Sequence, residues 1–372
     1  MAKNILILYI TESSGHYRAA LSLKEALLLK NSDISVSLVN AFRYYHPLSE
    51  KVINFFYYLS IKRFPFLWGR IYDKKTVIRN LNPLKSLIHF LNLKKTRNLL
   101  EKFQPACIIT TQAFPCGVVA FYKRYYHLSI PLVGVVTDFF PHGFWPYREV
   151  DFYTVATPEA KDKLVSENIP REKIKILGIP IMPKFVQENN RKAVASKFGL
   201  APDKKTILLM GGGSGLGPLE KIVEVLDNSY VDFQMIVVCG RNRKLYRRLS
   251  SYRRTARKEL FLFSYTEDVD KFMDFAEIII TKAGGSTISE ALAKKMAIIA
   301  FRPIPGQEEN NIRYLEEREI AFLACDYGEI KLQVERLLQN RDMLEHIREK
   351  AYNYAHPASS LEIAELSLKL IE

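Results

Sequence analysis

The chain has 372 residues, 48% of them hydrophobic and 25% charged, which is globular composition with material for more than one domain. Its formal charge of +14 points to an anionic partner, and no apolar run approaches the ~18 residues that a membrane span needs. Four cysteines (Cys107, Cys116, Cys239, Cys325) lie far apart with no CxxC pair, which excludes a zinc or disulfide scaffold and fits a reducing compartment.

In chain order, NILILYI (4–10) is a continuous apolar run suited to a buried parallel strand. It starts the chain with no small-residue cleavage site, so no signal peptide is expected. HYRAALSLKEALLLKN follows with Ala19, Ala20, Leu23 and Leu27 at helical spacing, and SVSLVN (35–40) completes a β-α-β unit. ACIITT, PLVGVVTD, DFYTVAT and KIKILGIPI continue the alternation. Residues 182–204 are polar and proline-punctuated and read as a linker. TILLMGGG, FQMIVVCG, LFLFSY, EIIITKAGG and MAIIAFRP then restart the pattern. The expectation is an α/β protein of two tandem doubly wound, Rossmann-like domains facing a cleft, with ligands at the carboxyl ends of the strands. The boundaries are 1–181, a linker at 182–204, 205–354, and a helix at 355–372 packing back on the first domain.

Two basic runs stand out. Residues 51–99 hold eleven Lys/Arg against one acid, Asp73, and 240–258 hold nine with no acid. The first lies in an insert, 41–100, where Phe55, Phe56, Tyr57, Phe66 and Trp68 interleave with Lys62 and Arg63. Rings beside cations suit an element lying in an anionic membrane interface. The alternatives are a helical insert with a core of aromatics for the first run and a solvated basic face for the second.

Five strand-end loops carry candidate chemistry. SSGHYRAA places Gly15 and His16 where the first strand hands over to a helix. VTDFFPHGFW offers Asp138, with His142 and Trp145 grouped, like Gly15, with the acceptor- and membrane-facing residues. MGGGSGLGPLEK (Gly211, Gly212, Gly213, Ser214, Gly215, Gly217) lets backbone amides approach an anion at a helix start. It lacks the Lys-Ser/Thr of a Walker A loop and the G-x-G-x-x-G spacing, which weakens kinase, ATPase and NAD readings. TKAGGSTISEA brings Gly284, Gly285, Ser286 and Thr287 to a helix N-terminus fit for a diphosphate, with Glu290 one turn on to accept from a ribose diol. Thr287-x-x-Glu290 is equally a capping box. In RPIPGQEENN, Gln307, Glu308 and Asn311 suit sugar hydroxyls. EDVD (267–270) has the look of a metal-binding D-x-D, but its place at a helix start favours capping, and no metal or other cofactor is expected.

Taken together, these motifs in this order resemble the monogalactosyldiacylglycerol synthases and bacterial diacylglycerol glucosyltransferases of glycosyltransferase family 28, relatives of MurG. The resemblance spans nearly the whole chain. It implies a GT-B fold and an inverting, metal-independent transfer from a UDP-sugar to a lipid hydroxyl, here diacylglycerol. It further implies His16 as the acceptor's general base, Gly285–Thr287 on the diphosphate, Glu290 on the ribose and Gln307 with Glu308 on the sugar. Asp138, at the end of a neighbouring strand, is expected to orient the imidazole or to offset its developing charge. Tyr265 and Thr266 lie where backbone reads the uracil, and the aromatic insert engages the bilayer. Ser13 and Ser14 stand where relatives are richer in glycine, and Gly285–Ser286 where many have Pro-Gly. The expected setting is peripheral, on the cytoplasmic leaflet, with no nucleic-acid partner. The alternatives are a polyprenyl-linked acceptor, an epimerase of the same fold, or a membrane-binding protein without catalysis.

Overall fold

The structure, a computed structural model, describes residues 3–12, 14–46, 75–303 and 306–372. Phe55, Phe56, Tyr57, Lys62, Arg63, Phe66 and Trp68 lie outside the described residues. The chain divides into two compact units, Met1–Pro183 with Pro305–Gln307 and Ala358–Glu372, and Lys184–Ile304 with Glu308–Pro357.

The first unit is built on β1 (Asn4–Tyr9), α1 (Gly15–Lys30), β2 (Ser35–Asn40), α2 (Ala41–Tyr45), α3 (Lys75–Leu91), α4 (Leu93–Phe103), β3 (Pro105–Thr110), α5 (Ala113–Tyr126), β4 (Leu132–Val135), β5 (Phe152–Val155), α6 (Pro158–Ser166) and β6 (Ile174–Ile176). Its six parallel strands run β2-β1-β3-β4-β5-β6, with Leu6 paired to Ile108 and Thr110 to Gly134. Ile5, Leu6, Ile7 and Leu8 are all fully buried. Helices cover both faces of the sheet, which is why the strand reads as an unbroken apolar run.

The second unit follows with α7 (Arg191–Phe198), β7 (Thr206–Met210), α8 (Leu219–Asp227), β8 (Gln234–Val238), α9 (Arg243–Tyr252), β9 (Leu260–Phe263), α10 (Val269–Phe275), β10 (Ile278–Thr281), α11 (Gly285–Ala293), β11 (Ala297–Phe301), α12 (Gln307–Glu316), β12 (Ala321–Ala324), α13 (Tyr327–Gln339) and α14 (Arg341–Tyr352). Six parallel strands run β12-β11-β10-β7-β8-β9. The final helix, α15 (Ser359–Lys369), belongs to the first unit. There Ile363 and Ala364 are buried with Ala20, Leu23 and Leu27 of α1, and Lys30 pairs with Glu365 at 2.9 Å.

Two features depart from the sequence reading. β12, AFLA, extends the second sheet beyond the five strands read from the sequence. The region 182–204 is not a bare linker. Within it α7, capped by Asn190 and ended by Gly199 at φ 71°, packs Phe198 edge-on to Phe272 at 4.8 Å and lays Arg191 over the Phe275 ring. Its exposed polar face masks the apolar residues that dock it.

The order of strands fixes where each unit can hold a ligand. Sequence order reverses between β1 and β3 in one sheet and between β7 and β10 in the other. Loops at such a reversal diverge and leave a crevice at the carboxyl ends of the strands.

Candidate active site

The β1/β3 switch point holds His16. Ser14 caps α1, its hydroxyl accepting from Tyr17 N at 3.3 Å, so His16 is the second residue of the helix and emerges over the sheet end. The Thr111 hydroxyl, just past β3, donates to the main-chain carbonyl of His16 at 3.0 Å. In return Nδ1 of His16 lies 2.9 Å from the Thr111 carbonyl oxygen and 2.7 Å from Thr137 Oγ1. A carbonyl oxygen only accepts, so Nδ1 carries the ring proton and the lone pair sits on Nε2. Burial pushes the pKa of His16 down to about 4, partly opposed by the Thr111 hydrogen bond. The imidazole is therefore neutral near pH 7 and able to take a proton.

Asp138 is not among the hydrogen-bond partners of His16, so the ring is oriented by Thr111 and by Thr137, one position before Asp138. Asp138 itself is buried. His142, on the same loop, accepts from Phe144 N at 3.3 Å through Nδ1. Its pKa is pushed down to about 3, first by burial and then by the positive charge His16 would carry. Trp145, grouped with the membrane-facing residues from sequence, is 1% exposed and sits in the core of the first unit, where Tyr153 donates to its carbonyl at 2.7 Å. Gly15 is exposed at the helix start.

The β7/β10 switch point is chemically different. The loop Gly211–Gly217 folds on itself through Leu216 N to Gly211 O at 3.0 Å and Gly215 N to Gly212 O at 2.9 Å. It is clamped to the start of α9, where Arg241 N donates to Gly213 O and the Asn242 amide donates to Gly215 O, each at 3.0 Å. Gly215 has φ 58°, and a Cβ there would stand 1.9 Å from the Cys239 carbonyl oxygen, so only glycine fits. Beside the loop, the half-exposed Tyr265 ring lies 5.3 Å from the Arg241 guanidinium. Thr266 turns inward, its hydroxyl accepting from Asp268 N at 3.1 Å.

On the other side of the crevice, α11 starts at Gly285 with Gly284 as N-cap. Thr287 is thus the third helical residue, and the capping box expected from Thr287-x-x-Glu290 is not used. A glycine cap has no side chain to occupy the first amides, and a helix start of this kind favours an anion. Gly285, Ser286 and Thr287 form that first turn, and Glu290 is buried one turn further. Lys282, overlooked in the sequence, pairs with Glu308 at 3.2 Å, the two being 18% and 11% exposed. Asn311, fully buried, donates to the Ala283 carbonyl at 3.0 Å and so holds the β10–α11 turn. Gln307 opens α12 next to Glu308. Lys282 and Arg241 both lay inside segments read for their glycines or their net charge, which hid their individual roles.

Both aspartates of 267–270 are engaged. Asp268 pairs with Lys197 at 3.1 Å and with Lys271, and Asp270 with Lys184 at 3.1 Å. Asp268 stands at the N-cap of α10 without a side-chain cap bond.

Against known proteins, residues 16–181 match the model of monogalactosyldiacylglycerol (MGDG) synthase, and 206–369 the glycosyltransferase family 28 C-terminal domain. A processive diacylglycerol beta-glucosyltransferase of Bacillus subtilis (strain 168) is 33% identical over 97% of this chain and 93% of its own length. The chain belongs to glycosyltransferase family 28. It is an enzyme, a glycosyltransferase of the diacylglycerol-glycosyltransferase group. The relative in Bacillus mycoides, of the same name, is 31% identical over 99% of this chain and 94% of its own. Acinetobacter baumannii MurG has a similar structure, with TM-score 0.64 and 17% identity over 99% of this chain and 100% of that one. UDP-GlcNAc 2-epimerase from Neisseria meningitidis follows at 0.62 and 15%, covering 98% and 100%. At these identities the structural likeness establishes the GT-B fold alone.

Proposed function

We propose that the enzyme transfers a hexose from a UDP-sugar to the free hydroxyl of diacylglycerol at a membrane surface, with inversion and without a metal ion. The observation that carries this reading is His16, a neutral imidazole with Nε2 unprotonated at the β1/β3 switch point. The relatives at 31–33% identity are named for diacylglycerol as acceptor and glucose as sugar.

In this mechanism the acceptor O–H gives its proton to Nε2 of His16. The oxygen attacks the anomeric carbon, the bond from that carbon to the diphosphate oxygen breaks, and UDP leaves with the electron pair. One displacement converts an α-linked donor into a β-glycolipid. Thr111 and Thr137 hold the ring so that the accepting nitrogen faces outward. The first turn of α11 and the amides of Gly211–Gly217 take the diphosphate, where preformed dipoles oppose the charge that develops on the leaving group. Lys282 supplies a cation in place of a metal. Glu290 accepts from the ribose, Gln307 and Glu308 from the sugar, and the Tyr265–Arg241 pair offers a stacking face for the uracil.

Membrane contact is supported by Leu84, Leu87, Phe90 and Leu91 of α3, each at least half exposed. Among the described residues no helix is long and apolar enough to cross a membrane.

The test is transfer of radiolabelled sugar from UDP-glucose, UDP-galactose and UDP-N-acetylglucosamine to diacylglycerol in vesicles, with EDTA present. Label in a lipid product is expected. UDP binding without glycolipid from any donor would overturn the acceptor assignment in favour of a polyprenyl-linked acceptor or a protein without catalysis.

A further inference from the structure

We propose that in the free enzyme Glu308 stands in for the donor's diphosphate, and that it exchanges partners when the donor binds, so that the site favours a UDP-sugar over UDP. The proposal rests on the reading of the β7/β10 crevice as the UDP-sugar site. It adds a coupling between the diphosphate end and the sugar end of that site.

Lys282 and Glu308 both belong to the second unit, one just past β10 and the other in the first turn of α12. Their side chains meet at 3.2 Å, and among the described residues Glu308 is the one carboxylate that pairs with Lys282. Gly284 is the N-cap of α11, and a Cβ built on it would stand 3.9 Å from Glu308 Oε1, an ordinary contact distance. The carboxylate therefore rests against a helix start, a place that favours an anion. Glu308 thus meets both groups assigned to the diphosphate, the cation and the helix N-terminus, and it carries charge of the same sign.

The backbone around this contact is tied. Gly284 N donates to the Lys282 carbonyl at 2.8 Å, and Asn311, one turn along α12, donates to the Ala283 carbonyl at 3.0 Å. What is left to move is side chains, and an ammonium on a four-carbon stem re-aims readily.

A diphosphate arriving at α11 competes with Glu308 for Lys282. A mostly buried carboxylate that gives up its cation is costly unless other donors take the cation's place. The hydroxyls of a donor sugar are such donors. UDP brings the diphosphate without the sugar, so it draws off Lys282 and returns nothing to Glu308. One carboxylate in this position opposes the product and retains the substrate.

The experiment is calorimetric titration of the full chain with UDP and with UDP-glucose, for wild type, Glu308→Gln, Lys282→Met, the double variant and Glu309→Gln. An ion pair near a surface is worth up to about fivefold in an equilibrium, so Glu308→Gln is expected to bind UDP about fivefold more tightly than wild type. Its preference for UDP-glucose over UDP is expected to fall about tenfold, the worth of a charge-assisted hydrogen bond. In the Lys282→Met background the same change is expected to alter UDP affinity less than about twofold, the coupling that a double-mutant cycle reads. Glu309 is the exposed next residue of α12, and Glu309→Gln, which removes the same charge, is expected to leave UDP affinity within about twofold. Glu308→Asp keeps the charge but draws it back from Lys282, and is expected to tighten UDP as well, so the proposal stays testable if Glu308→Gln does not fold. Unchanged or weaker UDP binding in the Glu308 variants would overturn the exchange, and a lowered preference for UDP-glucose beside it would leave Glu308 as a sugar contact alone. Equal tightening in Glu309→Gln, or with Lys282 absent, would overturn it in favour of plain charge repulsion. Wild type that binds neither UDP nor UDP-glucose would remove the donor reading, and this proposal with it.

Discussion

At the β1/β3 switch point the working group is one side chain, withdrawn from water and held by two threonines. At the β7/β10 switch point it is mostly backbone, glycine amides and a helix start, with Lys282 and Arg241 set beside them. The same doubly wound topology thus makes two different instruments. Partial burial of an imidazole with a main-chain acceptor on Nδ1 yields a neutral base. A carbonyl partner, unlike a carboxylate, adds no formal negative charge to favour imidazolium before the acceptor arrives. Loops without side chains yield a cradle for an anion, where glycine is required by geometry as much as by chemistry. In the proposed mechanism one half moves a proton and the other holds charge.

If that division is right, substitutions in the two halves separate kinetically. The largest effect is expected from His16→Ala, a fall in kcat of about 10²–10⁴-fold, the usual worth of a general base, with donor KM little changed. Steady-state transfer with varied UDP-sugar checks it. Lys282→Ala is expected to weaken UDP binding by about tenfold to a hundredfold, because a charge-assisted contact is lost along with the ion pair to Glu308. Calorimetric titration with UDP reads this directly. Thr137→Val keeps the shape and removes one of the two groups on Nδ1. A fall of roughly fivefold in kcat, typical of one hydrogen bond, is expected with UDP affinity intact.

A separate effect concerns stability rather than rate. His16, His89 and His142 are held at about 4, 4 and 3 in the folded chain, against ~6.5 when unfolded. Between these values the unfolded state binds more protons, so stability falls as pH drops from ~6.5 toward ~4. The melting temperature is expected to decline across that window, and His142→Gln to reduce the slope. Activity is expected to show no inflection near ~6.5 from the base in the free enzyme, since its titration lies lower.

Much of this contrast was legible in the sequence, for identifiable reasons. Buried parallel strands announce themselves as apolar runs, so β1, β4, β7, β10 and β11 were readable, and the loops following them held the motifs. What was lost lay below that resolution. AFLA, at four residues, is too short to stand out as a strand. The polar face of α7 hid its docking residues. Thr137, next to Asp138, is the residue that meets the ring, a difference of one position in a loop that the strand pattern does not encode. Trp145 was taken for an interfacial residue on composition, while the structure spends it on the core. Lys282 was passed over because the glycines around it carried the pattern.

The measurement that bears most directly on the division between the halves is UDP binding and sugar transfer in His16→Ala, side by side with wild type. UDP affinity within about twofold of wild type, with transfer to diacylglycerol reduced at least about a hundredfold, is the predicted result. Transfer retained in His16→Ala would contradict the assignment of the base. Transfer and UDP affinity lost together would show that the two switch points do not act separately.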